Sequence, residues 1–259
     1  VVDRNSLLFW YPKIKDVVPT PRTVWVEIPE DELPIRWLDS DIPERLERRF
    51  KEKAREIGYP LFMRTDHFSG KHEYEHTCYV PSEDKLIPNL YSLIEMNYIV
   101  DVFGLPIGAI VFREFVELDY EFRAFYGKLP IAVEVRWFIR NGDVQCCHFY
   151  WKEDAIVLPD VSDWMGRLRR MEKRAYDELD IHKKLALKVA KVMDGYWSVD
   201  FARTKSGEWI CIDMALGERS YHPSECPHLS EEERIIMLEY ESAHRPRKPS
   251  KSLFDFMEV

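Results

Sequence analysis

Two aspartates near the end of the chain carry the clearest chemical signal. Asp200 lies in Trp197-Ser198-Val199-Asp200-Phe201, and Asp213 lies in Trp209-Ile210-Cys211-Ile212-Asp213-Met214. Both segments alternate like strands, so Asp200 faces away from Val199 and Phe201, and Asp213 away from Ile212 and Met214. A four-residue turn from Lys205 to Glu208, around Ser206-Gly207, sets the two acids opposite each other. Two carboxylates held that close repel unless a cation or a proton lies between them. Mg²⁺ accepts one or two carboxylates plus phosphate oxygens, so the pair suits a metal–nucleotide site. The same letters also describe two surface aspartates on a polar sheet face.

A second segment runs Pro60-Leu61-Phe62-Met63-Arg64-Thr65-Asp66-His67-Phe68-Ser69-Gly70-Lys71. Here a cation ends an apolar strand, and a small-residue loop with its own lysine follows. Such a loop can turn backbone N–H groups and a charge toward phosphates; an ordinary hairpin turn has the same composition. It is not a Walker loop, because G-x-x-x-x-G-K-[ST] is absent. A third segment joins Phe112-Arg113-Glu114-Phe115-Val116-Glu117 to Asp119-Tyr120-Glu121-Phe122-Arg123. It is an apolar strand followed by an acidic stretch and a final arginine. Backbone groups there could hold an adenine and an acid the ribose, or the segment is an edge strand and a solvated loop.

Composition narrows the field. The 259 residues carry a net charge of −9, which speaks against a nucleic-acid-binding face. The basic runs Arg167 to Arg170 and Lys183-Lys184 fall in helical patterns and read as solvated faces. No apolar stretch of about 18 residues occurs, and the first residues are too polar for a secretory signal, so no membrane partner is expected. Five cysteines, Cys78, Cys146, Cys147, Cys211 and Cys226, show no C-x-x-C spacing. That pattern implies a reduced, cytoplasmic protein without a zinc or disulfide framework. The covalent-nucleotidyl signature Lys-x-Asp-Gly, G-x-S-x-G and H-E-x-x-H are all absent.

The elements around these segments read as α+β. The first forty residues contain short strand-like pieces such as Thr23 to Ile28. A helix follows, capped by Asp41 and stopped by Gly58, with Leu46, Phe50, Ala54 and Ile57 on one face. Strands are expected at 59–65, 77–80 and 108–115, the last central because it is almost wholly apolar. A helix runs from Leu90 to Phe103. Strands 132–139 and 144–150 flank Asn141-Gly142, a strong hairpin signal. Helices cover 161–179 and 181–193, the second with Ile181, Leu185, Val189 and Val192 as its buried stripe. A capping box, Ser230 with Glu233, opens the last helix. The order is one of antiparallel hairpins, not of a doubly wound sheet.

In order and spacing the three segments resemble the ATP-grasp superfamily over residues 59–217. Glu114 and Glu121 stand seven apart, and Asp200 and Asp213 thirteen apart, as the family's hinge, ribose and metal acids do. The stretch from Arg64 to His72 is most similar to small divergent ATP-grasp proteins of phages and microbes, themselves similar to cell-division-cycle-123-type proteins. The resemblance implies two α+β subdomains clasping ATP and Mg²⁺. It divides the chain into an N-terminal region (1–58), a phosphate-lid subdomain (59–113), a catalytic and metal subdomain (114–229) and a C-terminal helix and tail (230–259).

The resemblance also implies site residues. Arg64 stands where the family has a strand lysine on the α- and β-phosphates. Ser69, Gly70 and Lys71 become a flexible phosphate lid. Glu114, Phe115 and Val116 become the adenine hinge, Glu121 the ribose acid, and Lys152 a further phosphate cation. Asp200 and Asp213 become the Mg²⁺ ligands. Ala215 stands where the family usually has a metal-binding Asn. Arg123 and Arg136 are candidates for the substrate carboxylate or the transferred phosphate, with a structural ion pair as the alternative, and Arg219 and His222 are candidate substrate contacts. The activity implied is a ligase: ATP phosphorylates a carboxylate, and an amine or similar nucleophile attacks the acylphosphate. The rival is an ATP-binding assembly factor without ligase turnover, as the cell-division-cycle-123-type proteins are. A third reading is an interaction module with a vestigial site.

Overall fold

The computed structural model describes residues 3–100, 106–125 and 128–244. The elements run α1 (Leu7–Ile14), β1 (Thr23–Glu27), α2 (Glu44–Ile57), β2 (Leu61–Thr65), β3 (Tyr79–Val80), α3 (Glu83–Val100), β4 (Ala109–Glu114), β5 (Tyr120–Ala124) and β6 (Leu129–Ala132). They continue with β7 (Glu134–Arg140), β8 (Asp143–Phe149), α4 (Trp164–Asp177), α5 (Leu179–Ala190), β9 (Tyr196–Arg203), β10 (Trp209–Leu216) and α6 (Glu231–His244). The chain divides into two compact units, Val1–Gly217 and Glu218–Val259. All ten strands of the described residues lie in the first. No described helix is long and apolar enough to cross a membrane.

Two four-stranded antiparallel sheets organise the first unit. One has the order β1-β4-β2-β3, so the apolar strand β4 is interior, as its composition demands. Leu61 and Met63 of β2 and Ile110 and Phe112 of β4 pack with Phe50 and Leu46 of α2 and Leu90 and Leu93 of α3. By alternation Phe62, Arg64 and Arg113 take the other face; Phe62 is paired with Arg113 across the strands. The helix α2 ends where Gly58 adopts φ +92°. Its N-cap is Pro43, without a side-chain cap bond, rather than Asp41.

The second sheet has the order β10-β9-β7-β8, with β5 and β6 as a separate hairpin. Val135 and Trp137 of β7 and Val199 and Phe201 of β9 share a core with Ala186 and Val189 of α5. Asn141 and Gly142 both have positive φ (50° and 92°), the primed turn that joins twisted strands without splaying them.

Three expectations change. The helix α1 is an element for which the sequence reading named no helix, whereas the strand-like piece at Thr23 to Ile28 is β1. The continuous run Leu7-Leu8-Phe9-Trp10-Tyr11 of α1 has no helical period, yet Ser6 caps it and Leu7, Trp10 and Ile14 are buried. The helix α3 begins at Glu83, earlier than Leu90, and the expected stop at Gly104 lies outside the described residues. In α5 the buried face is His182, Ala186, Val189 and Ala190, while Ile181 and Val192 are exposed. The reason is a hydrogen bond: the Trp137 indole donates to His182 Nδ1 at 2.8 Å, while Nε2 lies 3.0 Å from the Ala175 carbonyl. A satisfied imidazole is cheap to bury, and it turns the helix by one position. In the second unit Ser230 and Glu233 form the expected capping box, at 2.8 and 3.2 Å. The tail from 245 onward lies outside the described residues.

Candidate functional site

The faces of the two sheets that carry no helix enclose a cavity of about 490 Å³. Arg64 and Arg113 line it from the first sheet, and Glu134, Arg136, Asp200 and Asp213 from the second. Period-two alternation explains this. Residues flanking each charged one point into a hydrocarbon core, so the charges are left facing inward between the sheets.

Asp200 and Asp213 are cross-strand partners on β9 and β10. A β-bulge makes this so. Arg203 pairs with Trp209 and Phe201 with Cys211, and the register then shifts between Cys211 and Asp213. Cys211 and Met214 enter the core, and Asp213 is turned into the cavity beside Asp200.

Each acid holds an arginine. Arg136 donates to both oxygens of Asp200, Nε and Nη2 each at 2.8 Å. Burial opposes the Arg136 charge, but Asp200 outweighs it, and the guanidinium pKa is raised. Arg64 reaches across from the first sheet, its Nη1 2.9 Å from Asp213 Oδ1. Arg113 also bridges the sheets, donating from Nη1 to the Ile212 carbonyl and from Nε to Thr23 Oγ1 at 3.1 Å. Burial, with Arg64 beside it, lowers the Arg113 pKa to about 10.

Lys71 comes from the loop after β2. Its ammonium donates to the Tyr150 hydroxyl at 2.9 Å and lies 4.3 Å from the centre of that ring. Burial works against its charge, but Tyr150, Glu134 and Asp200 together raise its pKa. The loop is anchored from behind. Asp66 accepts from Ser6 Oγ (2.8 Å), Gly108 N (3.0 Å) and Ala109 N (3.2 Å). Gly70 has φ +61° and packs on Thr77, where a Cβ would come within 3.1 Å of the Thr77 Cβ. The segment that the resemblance casts as a flexible lid is thus a tied turn in this state.

Of the residues singled out in the sequence, the structure brings Arg64, Ser69 and Lys71 to the cavity, with Glu114, Phe115 and Val116 in the chain that leaves β4. Arg123, Arg136, Asp200 and Asp213 line it as well. Arg123 donates to the Lys128 carbonyl at 2.8 Å, its guanidinium 5.3 Å from the Tyr120 ring centre. Gly70, Glu121 and Lys152 are not lining residues. Glu121 instead accepts from Arg170 at 2.7 Å and from Arg174 at 2.9 Å, which turns it toward α4. The acid on the cavity from that stretch is Glu117. Arg219 and His222 fall in the second unit.

Sequence reasoning passed over Arg113, Glu134 and Tyr150. The signal for Glu134 was present, since in Val133-Glu134-Val135-Arg136 alternation puts Glu134 on the face of Arg136. Glu134 is 5% exposed, and burial, reinforced by Asp200 and Asp213 against Lys71 and Arg136, raises its pKa to about 7.

The site fits a magnesium nucleotide on its own chemistry. Among the described residues Arg113 Nη2 and Glu134 Oε2 are buried without a hydrogen-bond partner. A buried polar atom left unpaired costs about 1–3 kcal/mol, more when charged, so the wall holds one donor and one acceptor awaiting a polar ligand. Phe62, Tyr79, Phe115 and Ile210 also line the cavity and give it apolar surface suited to a flat ring.

Comparison with known proteins agrees with this arrangement. No curated protein matches the sequence. The fold is similar to that of Cdc123 from Schizosaccharomyces pombe, at 14% identity over 92% of this chain and 90% of that one, TM-score 0.50. A C-terminally truncated form of the same protein aligns at 13% identity over 96% and 93%, TM-score 0.55. The family model described as ATP-grasp domain, R-2-K clade family 3, matches residues 48–236, well over half of the chain. The chain therefore belongs to the ATP-grasp family, in the third family of the R-2-K clade.

Proposed function

We propose that this protein binds ATP with Mg²⁺ between its two sheets and acts as an ATP-binding assembly factor, without ligase turnover. The observation that carries the ATP reading is the charge layout of one cavity. Cations from the first sheet and its loop (Arg64, Lys71, Arg113) face carboxylates of the second (Glu134, Asp200, Asp213). Phosphates suit the first set and a divalent cation the second. Lys71, Arg113 and Arg64 would hold the phosphates, with Ser69 and Gly70 shaping the turn below them. Glu114, Phe115 and Val116 would meet the adenine, and Glu117, in place of Glu121, the ribose. Asp200 and Asp213 would hold Mg²⁺, which when bound neutralises phosphate charge.

Two features favour the assembly-factor reading. The fold likeness to Cdc123 extends over nearly the full length of both chains, and Ala215 brings no side-chain oxygen to the metal strand. The second reading, a carboxylate-activating ligase, is favoured by Arg123 and Arg136. Both line the cavity as further cations and could receive a substrate carboxylate.

Isothermal titration of the protein with ATP, with and without Mg²⁺, followed by ADP release over a panel of carboxylic acids and amines, tests these readings. Tight Mg-dependent binding without turnover is the expected result. ADP release that needs both an acid and an amine would replace the first reading with the second. No ATP binding would sink both.

A further inference from the structure

We propose that Glu134 is a direct ligand of the divalent cation that accompanies the nucleotide, so that the metal is held by β7 as well as by the β9–β10 hairpin. The inference rests on the Mg-ATP reading above and adds a residue to it.

Several acids of the cavity are already engaged or exposed to solvent. Asp200 is clamped by Arg136 through two 2.8 Å bonds, and Asp213 is paired with Arg64 at 2.9 Å. Glu117 is solvent-exposed and reaches Lys205 at 3.1 Å. Glu134 differs from all of these. It is 5% exposed, it lines the cavity, and its Oε2 is buried without a partner among the described residues. Lys71 and Arg136 act on it electrostatically, but each donates elsewhere, Lys71 to Tyr150 and Arg136 to Asp200.

A buried carboxyl with an unused oxygen is costly unless a ligand completes it. The ligand must be a cation or a hydrogen-bond donor, since a carboxylate only accepts. A small hard cation meets that requirement best, because it takes carboxylate oxygens together with phosphate oxygens. Backbone register supports convergence. Asp200 is paired with Arg136, two residues along β7 from Glu134, on the same sheet face, and Asp213 is paired with Asp200. The three acids therefore stand on adjacent strands and line the same cavity. Arg136 and Arg64 already balance Asp200 and Asp213, which leaves Glu134 as the carboxyl whose charge the cation has to meet.

The test uses Mn²⁺ as the probe, read by electron paramagnetic resonance of free Mn²⁺ in the presence of ATP, on the whole chain. Glu134→Gln should lower Mn²⁺ affinity by about tenfold or more and leave ATP affinity in EDTA no weaker than that of wild type. Glu134→Asp, which keeps the charge on a shorter arm, should fall between, and its melting curve provides a folded comparison if Glu134→Gln is unstable. Mn²⁺ affinity within about twofold of wild type in a folded variant would overturn the proposal. So would a variant with normal Mn²⁺ binding whose affinity for an amine falls, since Glu134 would then be an ammonium site. Wild type showing no metal-dependent ATP binding would instead remove the Mg-ATP reading, and this inference with it.

Discussion

Arg136 on β7 grips both carboxylate oxygens of Asp200 on the neighbouring strand β9, at 2.8 Å each. The pair is cross-strand in register and faces the cavity. Its consequence is that the two aspartates do not depend on a metal to coexist. Arg136 neutralises Asp200, and Arg64 does the same for Asp213.

Removing one of these acids should therefore destabilise the protein without ligand. Two bare carboxylates would repel, and neutralising one would then stabilise the fold; with the arginines in place the sign reverses. Asp200→Asn leaves a buried guanidinium with half its partner gone. Breaking a buried pair by removing one member costs about 3–5 kcal/mol. Chemical denaturation of Asp200→Asn without nucleotide should show a loss of that order, and a smaller one for the more exposed Asp213. Equal or greater stability of Asp200→Asn would mean that the Arg136 clamp is not formed in solution.

Glu134 gives a pH dependence with a definite sign. Its pKa in the fold is about 7, raised chiefly by burial above an ordinary value of 4.5. Between pH 4.5 and 7 the folded state holds a proton that the unfolded state has released. Stability attributable to this group therefore falls as pH rises through that window, and is level below and above it. A shift of this size corresponds to something on the order of 3 kcal/mol. Glu134→Gln should gain on wild type from pH 4.5 to 7 in parallel urea titrations. A constant difference across that range would show that the carboxyl titrates normally.

A second titration acts at the loop. His67 lies 3.1 Å from Asp66 and 3.3 Å from Asp3. Burial lowers its pKa, but Asp66 and Asp3 outweigh burial and the net shift is upward. The stability it contributes is fully present below its ordinary value of 6.5 and is lost as pH rises through the higher folded-state value. His67→Gln should flatten that loss, and NMR of the imidazole should give a pKa above that of a model peptide. An imidazole titrating below 6.5 would contradict the arrangement.

Much of this site was legible because alternation is a strong constraint. Asp200, opposite in direction to Val199 and Phe201, could only face away from the core, and the Asn141-Gly142 turn fixed β7 against β8. The β9–β10 hairpin shows where the logic ran out. A four-residue turn from Lys205 to Glu208 sets Asp200 opposite Asp213 directly. The structure uses the same pair by another route: Arg203 opposes Trp209, which alone would offset the acids, and the bulge before Asp213 restores them. No residue type announces a bulge of this kind. Glu121 illustrates a different failure, because spacing along the chain says nothing of Arg170 and Arg174 on a helix about fifty residues on. His182 was absent from the expected stripe of α5, because its burial depends on a partner, Trp137, that is remote in the chain.

The last prediction concerns the phosphate cations, Lys71 and Arg113, which should contribute to ATP binding in different ways. Arg113 is rigid: Nε and Nη1 are tied to Thr23 and Ile212, and Nη2 is buried and unpaired among the described residues. A donor already oriented and already stripped of water loses little freedom when a phosphate arrives. Lys71 has a partner to share, since Tyr150 accepts one of its three protons and the remaining two can serve a phosphate. Lys71→Ala should weaken ATP binding by about 1.5–3 kcal/mol, the range for a hydrogen bond to a charged group, and leave the fold intact because the side chain is only half-buried. Arg113→Gln should weaken binding comparably, but it should also loosen the junction between the sheets, because the bond to Ile212 goes with it. Arg113→Lys keeps the charge and loses the fork, so it should recover little of either. The measurement is ATP titration calorimetry alongside thermal melts with and without Mg-ATP, where wild type gains stability by mass action. The expected pattern is a reduced ATP-induced shift for Lys71→Ala from an unchanged starting melt, and a reduced shift from a lowered starting melt for Arg113→Gln. Full ATP-induced shifts in both variants would remove the phosphates from this wall and require the nucleotide to lie elsewhere.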